Sequence, residues 1–270
     1  MVDKEVTIWV YSDAGSSELS VKSALAAVAK KLKIDSIATV QTISSADILD
    51  NKLSSKSKGK NILIMPGGAD LPYCQKLNGR GNDIIRKFIS KGNIYIGICA
   101  GGYYGAREIQ FSGQSSEQGY EINGDRELAF FSGTAIGSIK AFTNGQLYDE
   151  KTSSKAMVTL NYANAQQDHV YYHGGAYFSA DADASFDIVA TYIDGKNAVV
   201  SGDFGAGKYL LSGVHFELCP IIYEKYAVAQ ASNVDIKKER DLLLAISHEH
   251  YGALIYKEIE KIMVEMFVKE

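Results

Sequence analysis

The stretch that decides the fold is Asn93-Ile94-Tyr95-Ile96-Gly97-Ile98-Cys99-Ala100-Gly101-Gly102-Tyr103-Tyr104-Gly105. Its first half is a short apolar run with β-branched and aromatic residues, which predicts a buried strand. Cys99 follows directly, with Gly97 two residues before it and Gly101 two residues after it. This spacing is typical of a nucleophile on a sharp turn between a strand and a helix, because glycines lack the side chains that would collide there.

The predicted turn would place the Cys99 side chain at the N-terminus of the following helix. There the helix dipole and the free backbone N–H groups favour a thiolate, which is the nucleophilic form of cysteine. The glycine spacing alone leaves a second interpretation open, in which Cys99 is a small buried apolar residue, as free cysteines often are.

The segment Tyr209-Leu210-Leu211-Ser212-Gly213-Val214 reads as a strand and leads into His215-Phe216-Glu217. A histidine in this position could deprotonate Cys99 and later protonate a leaving amine, while Glu217 would orient the imidazole ring. These partners favour the nucleophile interpretation. We therefore predict a catalytic triad of Cys99, His215 and Glu217.

The loop Pro66-Gly67-Gly68 follows another predicted strand, 61–65. Glycine residues allow backbone N–H groups to approach a developing oxyanion without obstruction by Cβ. The N–H of the residue after the nucleophile would be a second donor. We predict an oxyanion site at Gly67, Gly68 and Ala100.

The first half of the chain alternates apolar strand-like runs with amphipathic helical patterns, at 6–11, 21–32, 37–40, 46–49, 61–65, 84–89 and 93–98. This alternation predicts an α/β fold with a mainly parallel sheet covered by helices on both faces. Ligands bind beyond the carboxyl ends of the strands in such sheets. Both Cys99 and the glycine loop fall at such ends.

The second half has a different pattern, because residues 121–213 contain short apolar runs separated by Gly, Asn and Asp. We predict antiparallel β-structure packed on the sheet, with a domain boundary near residue 115 as the alternative. Residues 236–267 are helical, and Gly252 would divide them. We expect their apolar stripe to pack on the chain's own core; a dimer or partner surface is the alternative. The predicted organisation is one domain over 1–235 and a helical extension over 236–270.

Composition limits the function further. The 270 residues are 46% hydrophobic and 22% charged, which is typical of a globular protein, and the net charge of −4 argues against a nucleic-acid-binding surface. No apolar run is long enough to span a membrane, and the charged N-terminus lacks a signal-peptide pattern. Three widely spaced cysteines suggest neither a disulfide framework nor a metal site, so we expect a cytoplasmic protein.

Two further patterns lack the context that their motifs need. The run 202–208 is similar to a phosphate-binding loop, but a strand follows it, so we predict a hairpin turn. His248-Glu249-His250 lacks the spacing of a zinc helix, which favours a solvated helix face. Arg126 and Glu127 either form a fixed ion pair or line the pocket.

Taken together, the residues resemble class I glutamine amidotransferases, and more closely the amidotransferase-like domain at the N-terminus of fungal biotin–protein ligases, which also occurs as a standalone protein. The resemblance covers roughly residues 6–217 and rests on four blocks, Pro66–Tyr73, Gly97–Tyr104, Arg126–Phe131 and Tyr171–Gly175. It implies a flavodoxin-like fold and no metal or organic cofactor. Within and beside these blocks we assign a substrate pocket to Ala69, Asp70, Tyr103, Tyr104 and His173, although His173 is also explained as a structural histidine.

The sequence also departs from working glutaminases. They carry Gln four residues after the nucleophile, where this chain has Tyr103, and they usually read His-Pro-Glu, where this chain has Phe216 in the middle. The 270 residues leave no room for a biotin ligase catalytic domain, so we do not expect ligase activity.

Our first hypothesis is a cysteine hydrolase or amidotransferase-like enzyme for a small amide or acyl substrate. The second is an inactive module that senses a metabolite or docks a partner such as a biotin ligase, and the third is thiol redox sensing by Cys99.

Overall fold

The computed structural model describes residues 6–34, 36–55, 60–115 and 118–267. The strands in these ranges are β1 (Val6–Tyr11), β2 (Ala38–Ile43), β3 (Lys60–Met65), β4 (Ile94–Ile98), β5 (Ala106–Ser115), β6 (Gln118–Asp125), β7 (Phe131–Gly137), β8 (Lys155–Asn161), β9 (Gln167–His173), β10 (Tyr177–Ala180), β11 (Asp187–Tyr192), β12 (Asn197–Phe204) and β13 (Gly207–Ser212). The helices are α1 (Glu18–Lys31), α2 (Ser45–Leu49), α3 (Lys52–Ser55), α4 (Asp70–Leu77), α5 (Arg80–Ser90), α6 (Ala100–Gly105), α7 (Pro220–Tyr226), α8 (Ile236–Ile246) and α9 (Ala253–Phe267).

Five parallel strands form one end of the sheet in the order β2-β1-β3-β4-β13. This is the flavodoxin-like order, with β13 in the fifth place. Alternate residues of β1 face opposite sides, so that Ile8 packs in the core with α1 and α9, while Trp9 packs in the core with α4 and α5. Helices therefore cover both faces of the sheet, which confirms the predicted α/β fold.

The antiparallel half continues the same sheet rather than packing on it, which corrects that part of the prediction. A tight hairpin pairs Phe204 with Gly207, so that β12 lies against the free edge of β13. The sheet then runs on through β10, β7, β5 and β6, while β11, β8 and β9 branch from β12. The run 202–208 that is similar to a phosphate-binding loop forms this hairpin, as predicted.

The two C-terminal helices pack on different parts of the sheet, α9 on β13 and α8 on β8 and β9. Gly252 separates α8 from α9 with a φ of +68°, a conformation that glycine adopts without strain. The apolar stripe of α9 is buried inside the chain, so it does not form an exposed partner surface; its members are Ile255, Ile259, Ile262 and Met263, with Met266 partly buried. Among the described residues, no helix is both long and apolar enough to cross a membrane.

Candidate functional site

Cys99 lies on a strained turn between β4 and α6. Its φ of 51° and ψ of −106° are unusual for a residue with a side chain, and its N–H donates to the carbonyl of Ser212 at 2.8 Å. A Cβ on Gly97 would lie 2.3 Å from the carbonyl oxygen of Gly101, and a Cβ on Gly101 would lie 2.0 Å from that of Met65. The two glycines are therefore needed for this turn, for the reason that the sequence indicated.

His215 and Glu217 form a buried pair that follows β13. His215 Nδ1 lies 2.9 Å from Glu217 Oε1, and the Glu217 side chain is completely buried. The His215 N–H donates to the Tyr171 carbonyl at 2.9 Å, which joins this segment to β9. Burial would lower the pKa of His215, but the charge of Glu217, the nearby Cys99 sulfur and the hydrogen bond to Glu217 outweigh burial and raise this pKa to about 10. The imidazole is thus held in its charged form at neutral pH.

Ser20 is a site residue that the sequence analysis missed. Its Oγ donates to Glu217 Oε1 at 2.6 Å and accepts the Gly67 N–H at 3.0 Å. One hydroxyl therefore connects α1, the glycine loop and the His215–Glu217 pair. The sequence contains no local signal for this role, because a serine on the buried side of an amphipathic helix has many structural uses.

The glycine loop after β3 is held against the loop that follows β1. The Ser17 N–H donates to the Gly67 carbonyl and the Ala69 N–H donates to the Gly15 carbonyl, both at 2.8 Å. Gly68 has a φ of +144°, and a Cβ on it would lie 1.9 Å from the Gly15 carbonyl oxygen. This close approach requires glycine.

The predicted oxyanion residues have different surroundings. The Gly67 N–H is already bound to Ser20, so Gly67 is not a free donor. Its lack of a side chain instead makes room for His215, since a Cβ there would lie 2.4 Å from His215 Cε1. Ala100 is the first residue of α6, where helix N–H groups have no partner within the helix. Gly68 and Ala100 both line the cavity beside Cys99, so their N–H groups are the remaining candidates for an oxyanion site.

A cavity of about 370 Å³, which we call the large cavity, opens beside Cys99. Four of the predicted pocket residues line it, namely Ala69, Asp70, Tyr103 and His173. Tyr103 donates its hydroxyl to the Gly174 carbonyl at 3.0 Å. Tyr104 does not line this cavity, contrary to the prediction: its ring packs against Tyr73 with centroids 5.6 Å apart, and its hydroxyl bonds to Asn82.

The remaining walls of the large cavity come from the antiparallel half, which the sequence analysis did not connect with the site. They include Ile109, Phe111, Tyr120, Ile122, Tyr148 and Glu150. Phe111 is the centre of an aromatic group, with ring centroids 5.6 Å from Tyr103, 6.0 Å from Tyr120 and 5.7 Å from Tyr148. No motif marks these residues, because strand pairing that is distant in sequence brings them to the site.

A second space of about 80 Å³, the small cavity, adjoins the large cavity at Cys99. His215, Ser17 and Ser20 line it. The residues that line both cavities are Gly68, Cys99, Tyr148 and His173. Because a water molecule in a liquid takes up about 30 Å³, the small cavity has room for two or three molecules of water or ammonia.

His173 has a satisfied side chain. Its Nε2 lies 2.8 Å from the Asp149 carbonyl and 2.9 Å from Ser154 Oγ. Burial, with a smaller effect of the Lys155 charge, lowers the pKa of His173 to about 3, so its ring is neutral at physiological pH. Its backbone carbonyl lies 3.7 Å from Cys99 Sγ. These contacts agree with the structural interpretation of this histidine, although the residue borders both cavities.

Arg126 pairs with Asp70 rather than with Glu127. Arg126 Nε donates to Asp70 Oδ2 at 2.6 Å, and both side chains are buried. Glu127 accepts instead from the Gly79 N–H at 2.6 Å and from Asn82 Nδ2 at 2.9 Å. The proposed Arg126–Glu127 ion pair is therefore wrong, and Arg126 acts on the cavity through Asp70.

Within the ranges that the structure describes, no group of three or more His, Cys, Asp or Glu residues is placed to hold a metal ion. His248 and His250 are exposed between α8 and α9, as predicted for a solvated segment. Cys74 and Cys219 are partly exposed free cysteines.

The comparisons with known proteins agree on one family. The family described as "Biotin-protein ligase, N terminal" matches residues 6–259, so the match also includes α8 and part of α9, which the sequence resemblance had left outside. The chain is 31% identical over 165 residues to a biotin–protein ligase of Schizosaccharomyces pombe, covering 58% of this chain but 25% of the ligase. It is 30% identical over 214 residues to an uncharacterized protein of Chlamydia muridarum, covering 76% and 77% of the two chains. This chain therefore spans about a quarter of the length of the ligase that it matches.

Two solved structures support the fold. A glutamine amidotransferase from Thermotoga maritima has a TM-score of 0.57 at 12% identity, with 98% of this chain and 99% of that chain covered. A second glutamine amidotransferase has a TM-score of 0.50 at 16% identity, with 78% and 90% covered.

Proposed function

The chain belongs to the family of biotin–protein ligase N-terminal domains, and we propose that it is a cysteine-dependent hydrolase or amidotransferase-like enzyme acting on a small amide or related acyl compound. One observation carries the proposal. Cys99, on a strained turn at the edge of a cavity, lies beside a histidine whose charge is maintained by a fully buried carboxylate. Structural cysteines rarely require both features.

The chemistry follows from the positions of these groups. The Cys99 sulfur attacks the carbonyl carbon of the amide, and the oxyanion that forms accepts hydrogen bonds from the N–H groups of Gly68 and Ala100. Charged His215 donates its proton to the nitrogen as the C–N bond breaks, leaving a thioester and a free amine. Water then attacks the thioester, His215 takes the proton, and the C–S bond breaks to release a carboxylic acid.

Glu217 stabilises the charged ring in this sequence, and Ser20 holds Glu217. Both are positioning residues, because both act through His215. A partner protein such as a biotin ligase could supply another nucleophile in place of water, in which case the product would be a transferred acyl group. Ligase activity belongs to the longer relative and is not proposed for this chain.

A second candidate function is a binding or regulatory module that keeps the cavity but does not catalyse. Tyr103 favours it, since this residue stands where working glutaminases carry a substrate-binding Gln and its hydroxyl is already bonded to the Gly174 carbonyl. The triad geometry supports the enzyme more directly, because a binding module has no need of a charged histidine beside the cysteine.

The pH dependence of alkylation by iodoacetamide, read separately for each cysteine by peptide mass spectrometry, tests the proposal. Only a few per cent of an ordinary cysteine is thiolate at pH 7, so we expect Cys99 to react about tenfold faster or more than such a cysteine at that pH. His215→Ala should remove most of this advantage and Glu217→Gln should reduce it. His169→Ala removes an exposed histidine on β9 and should have no effect.

Cys74 provides an internal reference in the same sample. Burial raises the pKa of the Cys74 thiol, so it should react appreciably only at alkaline pH. If the alkylation of Cys99 shows the same pH dependence as that of Cys74, or if His215→Ala leaves the Cys99 rate unchanged, the enzyme proposal fails. The binding module would then be the better explanation.

A further inference from the structure

We infer that the compound recognised at this site has an apolar acyl part of about the size of one ring and carries no carboxylate. The inference rests on the proposed function, since it assumes that Cys99 attacks a carbonyl carbon at the junction of the two cavities. It names a substrate class, and it makes free glutamine, which bears an α-carboxylate, a poor substrate.

The orientation of the substrate follows from the position of His215. The leaving amine must lie on the His215 side of Cys99, because His215 protonates it. His215 lines the small cavity and is absent from the lining of the large one. The leaving group and the attacking water thus occupy the small cavity, and the acyl part extends into the large cavity.

The walls of the large cavity suit an apolar ring. The aromatic group centred on Phe111 forms one side, and Leu71, Ile109 and Ile122 add aliphatic surface. An apolar cavity of roughly 150 Å³ is enough to hold a benzene molecule, so about 370 Å³ accommodates a ring and a short chain. Aromatic side chains stabilise such rings through edge-to-face and offset contacts.

The charges of the large cavity disfavour a carboxylate. Asp70 and Glu150 are its ionisable acidic residues, and the described part of its lining contains no Lys or Arg. Arg126 does not line the cavity, but its ion pair with Asp70 compensates that carboxylate, so Glu150 is the acidic charge that a substrate carboxylate would meet. His173 is neutral at physiological pH. A substrate carboxylate would therefore lose its hydration without gaining a positive partner.

Three chloroacetyl reagents test the inference: 2-chloroacetamide, N-phenyl-2-chloroacetamide and chloroacetate. The rate of Cys99 modification by each is divided by the rate of the same reagent with glutathione, which removes differences in intrinsic reactivity. We expect the phenyl reagent to exceed 2-chloroacetamide by about tenfold, because binding removes the apolar surface of the ring from water. Chloroacetate should fall below 2-chloroacetamide.

Two variants locate the selectivity in the large cavity. Phe111→Ala should reduce the advantage of the phenyl reagent. Glu150→Lys changes an exposed residue at the rim, which the fold tolerates, and should raise the chloroacetate rate severalfold. Glu249→Lys makes the same change of charge at an exposed position outside the cavity lining and should leave the chloroacetate rate as in the wild type.

The outcomes separate the two proposals. Equal normalised rates for the three reagents, in a protein whose Cys99 reactivity depends on His215, overturn the substrate class and leave the proposed enzyme function intact. Cys99 reactivity that is independent of His215 with every reagent overturns the enzyme function and the substrate class together.

Discussion

Ser20 Oγ lies 2.6 Å from Glu217 Oε1, although the two residues are 197 positions apart in the sequence. The same hydroxyl accepts the N–H of Gly67, whose loop faces Cys99 across the site. The orientation of the His215–Glu217 pair is therefore coupled to the glycine loop through one side chain of α1. Ser20 consequently contributes to both the geometry and the stability of the site.

Ser20→Ala should reduce both the stability of the protein and the reactivity of Cys99. The buried Gly67 N–H loses its acceptor and Glu217 loses a donor, which costs about 1–3 kcal/mol of unfolding free energy for the buried group left unsatisfied. Cys99 alkylation at pH 7 should also slow severalfold, since Glu217 is then held less firmly against His215. Urea unfolding and the alkylation assay measure the two effects.

Ser23→Ala is the matched control. Ser23 lies three residues further along α1 and is completely buried, but its Oγ has no hydrogen-bond partner among the described residues. Removing this hydroxyl should leave the stability unchanged or slightly increased. Equal losses in the two variants would show that Ser20 contributes only as a buried small residue.

Gly67→Ala should displace His215 without removing any group that could carry a proton. The added Cβ would lie 2.4 Å from His215 Cε1, so the ring has to move away from its place between Glu217 and Cys99. We expect Cys99 alkylation at pH 7 to fall on the order of tenfold, close to the level of His215→Ala. In Gly119→Ala, the nearest atom to the new Cβ would be 3.7 Å away, and an unchanged alkylation rate is expected. A wild-type rate in Gly67→Ala would argue against His215 as the partner of Cys99.

The sequence predicted the parts of the site that follow parallel strands. Cys99 directly follows β4, and His215 lies three residues after the end of β13, the neighbouring parallel strand. Parallel strands end at the same edge, so local patterns sufficed to place these two residues close together. The fold class was predictable for the same reason. The order of the antiparallel strands was not, because it depends on pairing between segments far apart in the chain.

Tyr104 shows the limit of local patterns. It follows Tyr103 directly in α6, but consecutive side chains of a helix point about 100° apart, so one lines the cavity and the other packs against Tyr73. A motif containing both residues does not distinguish them. Phe111 and Tyr148 were not predicted as site residues at all. Nothing in their sequence neighbourhood indicates that β5 and the 148–150 segment reach Cys99.

The charge of His215 should be directly observable. We expect its imidazole, followed by NMR of the ring nitrogens, to remain protonated through neutral pH and to titrate near its pKa of about 10. In Glu217→Gln the main opposing charge is lost while burial remains, so the ring should titrate at a lower pH. An unchanged titration in that variant would show that Glu217 does not stabilise the protonated form of His215.

His173 should make the protein sensitive to acid. Its pKa in the folded state is about 3, below the ordinary value of 6.5, so the unfolded chain binds the extra proton first. The contribution of the neutral, partly buried ring is fully present above about pH 6.5 and is lost as the pH falls from there towards 3. Between pH 6.5 and 4.5 this loss should amount to roughly 1 kcal/mol or more of unfolding free energy.

His173→Gln separates this contribution from the other acidic transitions of the chain. A glutamine amide preserves a donor for the Asp149 carbonyl but cannot titrate, so urea unfolding of the variant should depend less steeply on pH between 6.5 and 4.5 than that of the wild type. His169→Gln makes the same substitution at an exposed position of the same strand and controls for the change of residue type. If the His173 variant and the wild type show equal slopes, His173 is already solvated in the folded protein.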